Sequence, residues 1–238
     1  MSLPVFCISL PARSDRRDAL RTAWQHGGFD LSLPMPLHFI EGVRIAENLK
    51  GPARIAAADM ACAIAHRNAV ERAATMDAEA VLVLEDDAVP AASSAALSDF
   101  LFKVLPKVSQ GWETVNLGGC SAQWRPATPM LRWERLTDDV FRVKGMVTTH
   151  AIVYHRRVFA DVLCAVPSED EVRRTGFGVR SSRPYDQWLA SHGTMLTGSV
   201  PYFVQSGSTS DILGVPHGVN IADLIHATYA RLRSTAPL

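Results

Sequence analysis

Three adjacent carboxylates, Glu85, Asp86 and Asp87, follow the apolar run Ala80-Val81-Leu82-Val83-Leu84. Carboxylates this close repel one another, and partial burial raises the cost. A divalent cation removes it. On an extended chain Glu85 and Asp87 project to one side and Asp86 to the other, so two of the three can address one metal ion or its bound water. Oxygen-only ligation favours Mg2+ or Mn2+ shared with phosphates. The chemistry implied is metal-assisted reaction on a phosphate-bearing ligand, with transferases, nucleotidyltransferases and hydrolases all open. The plainer alternative is a solvated acidic turn near a helix N-terminus.

The elements around this cluster alternate. Residues 3–10 read as a first buried strand ending at Pro11. Residues 15–26 read as a helix, capped by Ser14 or Asp15 and stopped by Gly27-Gly28. Leu37 to Ile40 is a second strand, closing at Gly42. Residues 54–77 form a long Ala-rich helix with Ile55, Ala58, Cys62, Ala65 and Ala69 as its packing stripe. The run Ala80–Leu84 is continuous rather than alternating, which suits a strand buried on both faces. Further elements are a helix over 93–105, a strand at Thr114–Leu117, a strand-like Val147–Tyr154 and a helix over Arg156–Ala165. A polar loop over 168–184 is a candidate lid. A short helix over 185–192, a late strand over 195–204, a loop over 207–219 and a last amphipathic helix over 221–232 complete the chain. The pattern predicts a three-layer α/β fold with a mostly parallel central sheet, and ligands in such folds bind beyond the carboxyl ends of the strands.

Composition excludes some classes. The chain has 238 residues, enough for one large α/β domain, and its 24 Lys plus Arg balance 24 Asp plus Glu. No basic footprint points to nucleic acid. The apolar N-terminal stretch is short and lacks a basic lead-in, so no secretory leader is expected. A cytoplasmic protein is expected, with peripheral membrane contact left open. Cys7, Cys62, Cys120 and Cys164 form no C-x-x-C pair and read as reduced, mostly buried residues, which argues against a Cys-ligated zinc site.

The run Val81-Leu82-Val83-Leu84-Glu85-Asp86-Asp87-Ala88-Val89 resembles a family segment of the form LxLEDD, and other segments agree in order. They are Phe6–Leu10 with Arg13, Asp15, Arg16 and Arg17; Ile40-Glu41-Gly42; Cys62–His66; Thr149–Tyr154; Tyr185–Leu189; and Gln205 with Ser210-Asp211-Ile212. Together they resemble glycosyltransferase family 25, which includes bacterial lipopolysaccharide and lipooligosaccharide galactosyltransferases. The match spans roughly residues 4–212. Ala61 and Ala65 stand where Gly and Ser are usual, and Leu10-Pro11 where an Asn-Leu pair is usual.

The resemblance implies a GT-A type fold in one domain over 1–238. About 1–120 would be the nucleotide-sugar half, and about 121–238 the acceptor half with the C-terminal helix. It implies a nucleotide-sugar donor, UDP-galactose or UDP-glucose, a glycan or lipid-linked acceptor such as lipopolysaccharide, and inversion. Within it, the Leu10-to-Arg17 turn meets the nucleotide: Leu10 and Pro11 follow the strand, and Arg13 and Arg16 could reach phosphate or ribose, or simply begin a solvated helix. Glu85 and Asp87 would hold Mn2+ or Mg2+, and Asp86 the ribose or sugar. Asp186 is the candidate base, or else a plain helix cap. His66 is a donor-site residue or a hydrogen-bonded packing residue. Asp211, ahead of His150 and His217, is a late metal or diphosphate contact. Trp112, Trp124, Trp133 and Trp188 could stack sugars or fill the core. A metal-dependent nucleotidyltransferase and a non-catalytic nucleotide- or glycan-binding relative are the alternatives. The first usually carries a glycine-rich or basic loop after its first strand, and Leu10-Pro11-Ala12-Arg13 has no glycine.

Overall fold

The structure, a computed structural model, describes residues 3–29, 37–45, 51–108, 111–121, 130–175, 184–206 and 220–234. The expected loop over 207–219, with Asp211 and His217, lies outside the described residues, as does Trp124.

The chain forms β1 (Val5–Ser9), α1 (Ser14–His26), β2 (Leu37–Glu41), α2 (Gly51–Thr75), β3 (Ala80–Glu85) and β4 (Ala88–Pro90). Next come α3 (Ser94–Asp99), whose last turns widen and then tighten through Lys107, β5 (Thr114–Asn116) and β6 (Cys120–Ser121). Then follow β7 (Arg132–Arg135), β8 (Val140–Lys144), β9 (Met146–Val147), β10 (Ala151–His155), α4 (Arg156–Ala165) and α5 (Glu169–Thr175). The last described elements are α6 (Tyr185–Ser191), β11 (Met195–Gly198), β12 (Phe203–Gln205) and α7 (Ile221–Ser234). Eight strands make one sheet in the order β2-β1-β3-β10-β5-β11-β8-β7. Strands β1, β2, β3, β5, β7 and β11 run one way, and β8 and β10 run against them. The expected three-layer α/β fold with a mostly parallel sheet is what the chain adopts.

The β3 run shows why. Val81 and Val83 enter the core that α2, α4, α6 and α7 cover, while Ala80, Leu82 and Leu84 enter the core that α1 and α3 cover. All five are fully buried. At roughly 1.5–3 kcal/mol for a buried Val or Leu, this strand anchors both layers.

Several local expectations are corrected. Neither Ser14 nor Asp15 caps α1: Arg13 occupies the cap position without a side-chain cap bond, and Asp15 instead pairs with Arg13. On α2, Ile55 is exposed, and the buried stripe is Ala57, Ala61, Ile64, Ala65, Ala69 and Ala73. The strand expected over Val147–Tyr154 is broken, because Thr148 takes a positive φ of 79° between β9 and β10. The late strand is two strands in two sheets, since β11 joins the main sheet and β12 pairs with β4. Part of the expected 168–184 loop is helix α5, braced by an Arg173–Glu169 pair one turn apart. No described helix is long and apolar enough to cross a membrane. The four cysteines are free, but only Cys7 and Cys120 are buried, and Cys164 is exposed.

Candidate functional site

Strand β3 delivers Glu85 at its carboxyl end, where the Glu85 amide donates to the His150 carbonyl at 2.9 Å. The chain then turns. Asp86 and Asp87 occupy the turn, so the three carboxylates fan toward different partners while bordering one cleft. This cleft of about 380 Å³ is lined by Ser9, Leu10 and Arg16 on one side, by Gly42 to Ile45, Arg54 and the Ala58–Ala65 face of α2 on another, and by Glu85, Asp86, Asp87 and Gln205.

Asp86 is held by two groups. Arg16 donates Nη1 to its Oδ1 at 2.9 Å, and Ser9 donates Oγ to its Oδ2 at 2.7 Å. The pair is mostly buried. Arg17 ties the preceding turn by donating to the Leu10 carbonyl at 2.6 Å and the Pro11 carbonyl at 2.9 Å. That fixes the β1–α1 turn against the acids. Arg13 faces elsewhere, with its guanidinium on Asp15, whose carboxyl it holds below the usual range. Arg13 and Pro11 do not line the cleft.

Glu85 accepts hydrogen bonds from the α2 side. Thr149 donates its hydroxyl to Oε1, and His66 Nε2 lies 3.4 Å from the same oxygen. Burial pushes the Glu85 carboxyl up, but His66 and Thr149 outweigh it, and the group stays below its ordinary value. His66 is fully buried, and Tyr154 Oη lies 2.9 Å from its Nδ1. Tyr185 in turn donates to Tyr154 at 3.2 Å. So a Tyr185–Tyr154–His66–Glu85 relay runs from α6 to the acidic turn.

Asp87 has the opposite environment. Gln205 donates Nε2 to its Oδ2 at 2.8 Å, and the Ser206 amide donates to its carbonyl at 2.8 Å. Its buried Oδ1 has no hydrogen-bond partner among the described residues. Burial, then the Glu85 charge, push its carboxyl up to about 7. An orphaned buried carboxylate oxygen beside a second carboxylate fits a divalent cation, which would displace the proton.

Asp186 opens the first turn of α6. It does not line the cleft, although its charge reaches the Cys62 thiol on the cleft wall. His150 is buried beside Gly118, where a Cβ would fall 2.6 Å from its Nε2 and 2.2 Å from the Phe203 carbonyl. Burial lowers His150 to about 4, with the Glu85 charge opposing, so it is neutral at pH 7. Trp112 and Trp133 are core residues, and Trp188 stacks between Tyr185 and His192.

The structure thus brings Leu10, Arg16, Glu85, Asp86 and Asp87 to one cleft, with His66 directly behind. Ser9, Arg17, Cys62, Thr149, Tyr154 and Gln205 were not singled out as site residues. Cys62 and His66 carried one readable signal: they stand four residues apart on one helix face.

No family model matches the chain, and no curated protein matches it. Among solved structures, it aligns with a glycosyltransferase involved in the glycosylation of the major capsid of PBCV-1, at 10% identity and a TM-score of 0.39, over 74% of this chain and 69% of that one. It also aligns with mannose-1-phosphate geranyltransferase from Thermus thermophilus, at 15% identity and a TM-score of 0.44, over 83% of this chain and 74% of that one.

Proposed function

We propose that the chain is a GT-A type, family 25-like glycosyltransferase that moves galactose or glucose from a UDP-linked donor to a glycan or lipid-linked acceptor such as lipopolysaccharide, with inversion. It would act in the cytoplasm, at or near the inner face of the membrane. The observation that supports this most is the Asp87 carboxylate: one buried oxygen unpartnered among the described residues, on a cleft that also holds Glu85 and Arg16, Arg44 and Arg54. Acids for a cation and guanidinium groups for phosphate oxygens, together on one cleft, suit a nucleoside diphosphate.

Asp87 and Glu85 hold the Mn2+ or Mg2+ in this reading, with Asp211 as a third ligand. The ion would act as a Lewis acid, neutralising charge on the leaving diphosphate. Arg16 and Leu10, which line the cleft, bind the nucleotide side. Asp86, already fixed by Arg16 and Ser9, orients that arginine and the ribose edge. Asp186, at the start of α6 behind the Cys62 wall of the cleft, is the candidate general base for the acceptor hydroxyl proton.

A thermal-shift titration tests the core of this. UDP-galactose or UDP-glucose with Mn2+ should stabilise the protein by RT ln(1+[L]/Kd), about 2.7 kcal/mol at a hundredfold excess over Kd. Neither alone should match it. Stabilisation by a nucleoside triphosphate with a sugar 1-phosphate instead would move the assignment to nucleotidyl transfer. Donor binding without hydrolysis or transfer would make the chain a non-catalytic relative.

A further inference from the structure

The α2 wall of the cleft carries a second set of donor atoms. Cys62 and His66 lie one turn apart on α2, and both approach Oε1 of Glu85: Cys62 Sγ at 3.8 Å and His66 Nε2 at 3.4 Å. The three atoms all lie within 4.8 Å of one another. With metal–sulfur bonds of about 2.3 Å and metal–nitrogen or –oxygen bonds of about 2.0–2.1 Å, tetrahedral geometry separates neighbouring donors by about 3.3–3.6 Å. The Glu85 contacts are already within a few tenths of an ångström of that. One thiol, one imidazole and one carboxylate form a donor set for Zn2+ rather than for Mg2+.

The surroundings complete the argument. Cys62 and Glu85 line the cleft, so a fourth coordination position opens toward it. Behind His66, Tyr154 and Tyr185 form a chain of two hydroxyls. A hydroxyl can donate or accept, so the chain serves either tautomer of His66. With Nδ1–H donating to Tyr154, the Nε2 lone pair is left for a metal, as outer partners of ligating histidines commonly arrange.

We propose that Cys62, His66 and Glu85 form a binding site for a thiophilic divalent cation of the Zn2+ class. The Cys62 thiol, which burial keeps protonated, gives its proton to the buffer as the metal–sulfur bond forms. Glu85 is already ionised and His66 binds through a neutral ring. The site shares Glu85 with the donor site but does not depend on glycosyl transfer.

Cobalt(II) is the probe, titrated into the chelator-stripped full chain without nucleotide or acceptor. An intense near-ultraviolet thiolate-to-cobalt band with a tetrahedral visible spectrum is expected, and equimolar Zn2+ should bleach it. Cys62→Ser should abolish the band, His66→Gln should weaken binding about tenfold or more, and Cys164→Ser should leave it unchanged. Absence of the band, or its survival in Cys62→Ser, overturns the proposal. If Cys62→Ser does not fold, alkylation of the wild-type chain decides. Zn2+ should protect the Cys62 peptide, and equal labelling with and without Zn2+ overturns the site. Because no donor is present, failure here leaves the transferase reading standing, and failure of donor binding leaves this site standing.

Discussion

The two walls that meet at the acidic turn treat their carboxylates in opposite ways. On the α2 wall, Glu85 accepts from Thr149 and lies against His66, and its charge is stabilised by the protein alone. On the β12 wall, Asp87 receives Gln205 on one oxygen and keeps the other unpartnered among the described residues, so its charge is resisted. Two acids two residues apart thus have contrasting needs. The fold favours the charged form of Glu85 and disfavours that of Asp87. Asp86, between them, is completed by Arg16 and Ser9.

That contrast can be broken most forcefully at Asp87. Asp87→Asn should lower sugar transfer about a thousandfold, the order expected when several kcal/mol of Lewis-acid stabilisation is lost. The fold should persist, as circular dichroism would show. Near-normal transfer with retained Mn2+ dependence would remove the contrast altogether.

Next in size is Arg16→Ala. It leaves Asp86 as a buried charge without its guanidinium, and breaking such a pair costs about 3–5 kcal/mol. Urea denaturation should show the loss, and Asp86→Asn in the same background should recover part of it. No recovery would mean that Arg16 works through packing rather than charge.

The pH response follows from the Asp87 carboxyl, raised from an ordinary 3.8 to about 7. In that window the unfolded chain is ionised there and the folded chain is protonated. The cation-free fold therefore loses stability as pH rises from about 4 to about 7, with no further loss above. Cation binding has the reverse sign. Protons compete for Asp87, so Mn2+ affinity should fall about tenfold per pH unit below about 7 and level off above it. Calorimetry at several pH values checks the slope, and Asp87→Asn should abolish it.

The smallest effect sharpens the other wall. Tyr154→Phe removes one hydroxyl from the relay and should cost about 1 kcal/mol of stability. Mn2+ affinity at Asp87 should stay the same. A large drop would show that the two walls are coupled.

What was legible in the sequence followed the physics of continuous patterns. The β3 run read as a strand covered on both faces, as it is, and the acids at its end read as a ligand edge or else a solvated turn. Helices α2 and α4 were equally plain. The breaks were harder to see. Thr148 at positive φ leaves no composition signal, so β9 and β10 read as one strand. The β7–β8 hairpin turns through Asp138 and Asp139 with no glycine, proline or asparagine to mark it. Helix α5 looked like a loop because it is polar, though Glu169 and Arg173 stand at the spacing of a helical ion pair. The partners of Glu85 come from residues 62, 66 and 149, and no local pattern announces contacts that only the folded sheet creates.

Gln205 reaches Asp87 across 118 positions of sequence, on the short β4–β12 ribbon that ties residues 88–90 to 203–205. This gives the molecule a clock. The parallel strands β1, β2 and β3 are complete once about the first third of the chain has been made, but the Asp87 carboxylate gains its Gln205 clamp only near the end of synthesis. Closure of so long a loop is among the slow steps of folding. In refolding experiments, helical ellipticity should return before Mn2+ binding does. The interval between them would time the arrival of the last ribbon.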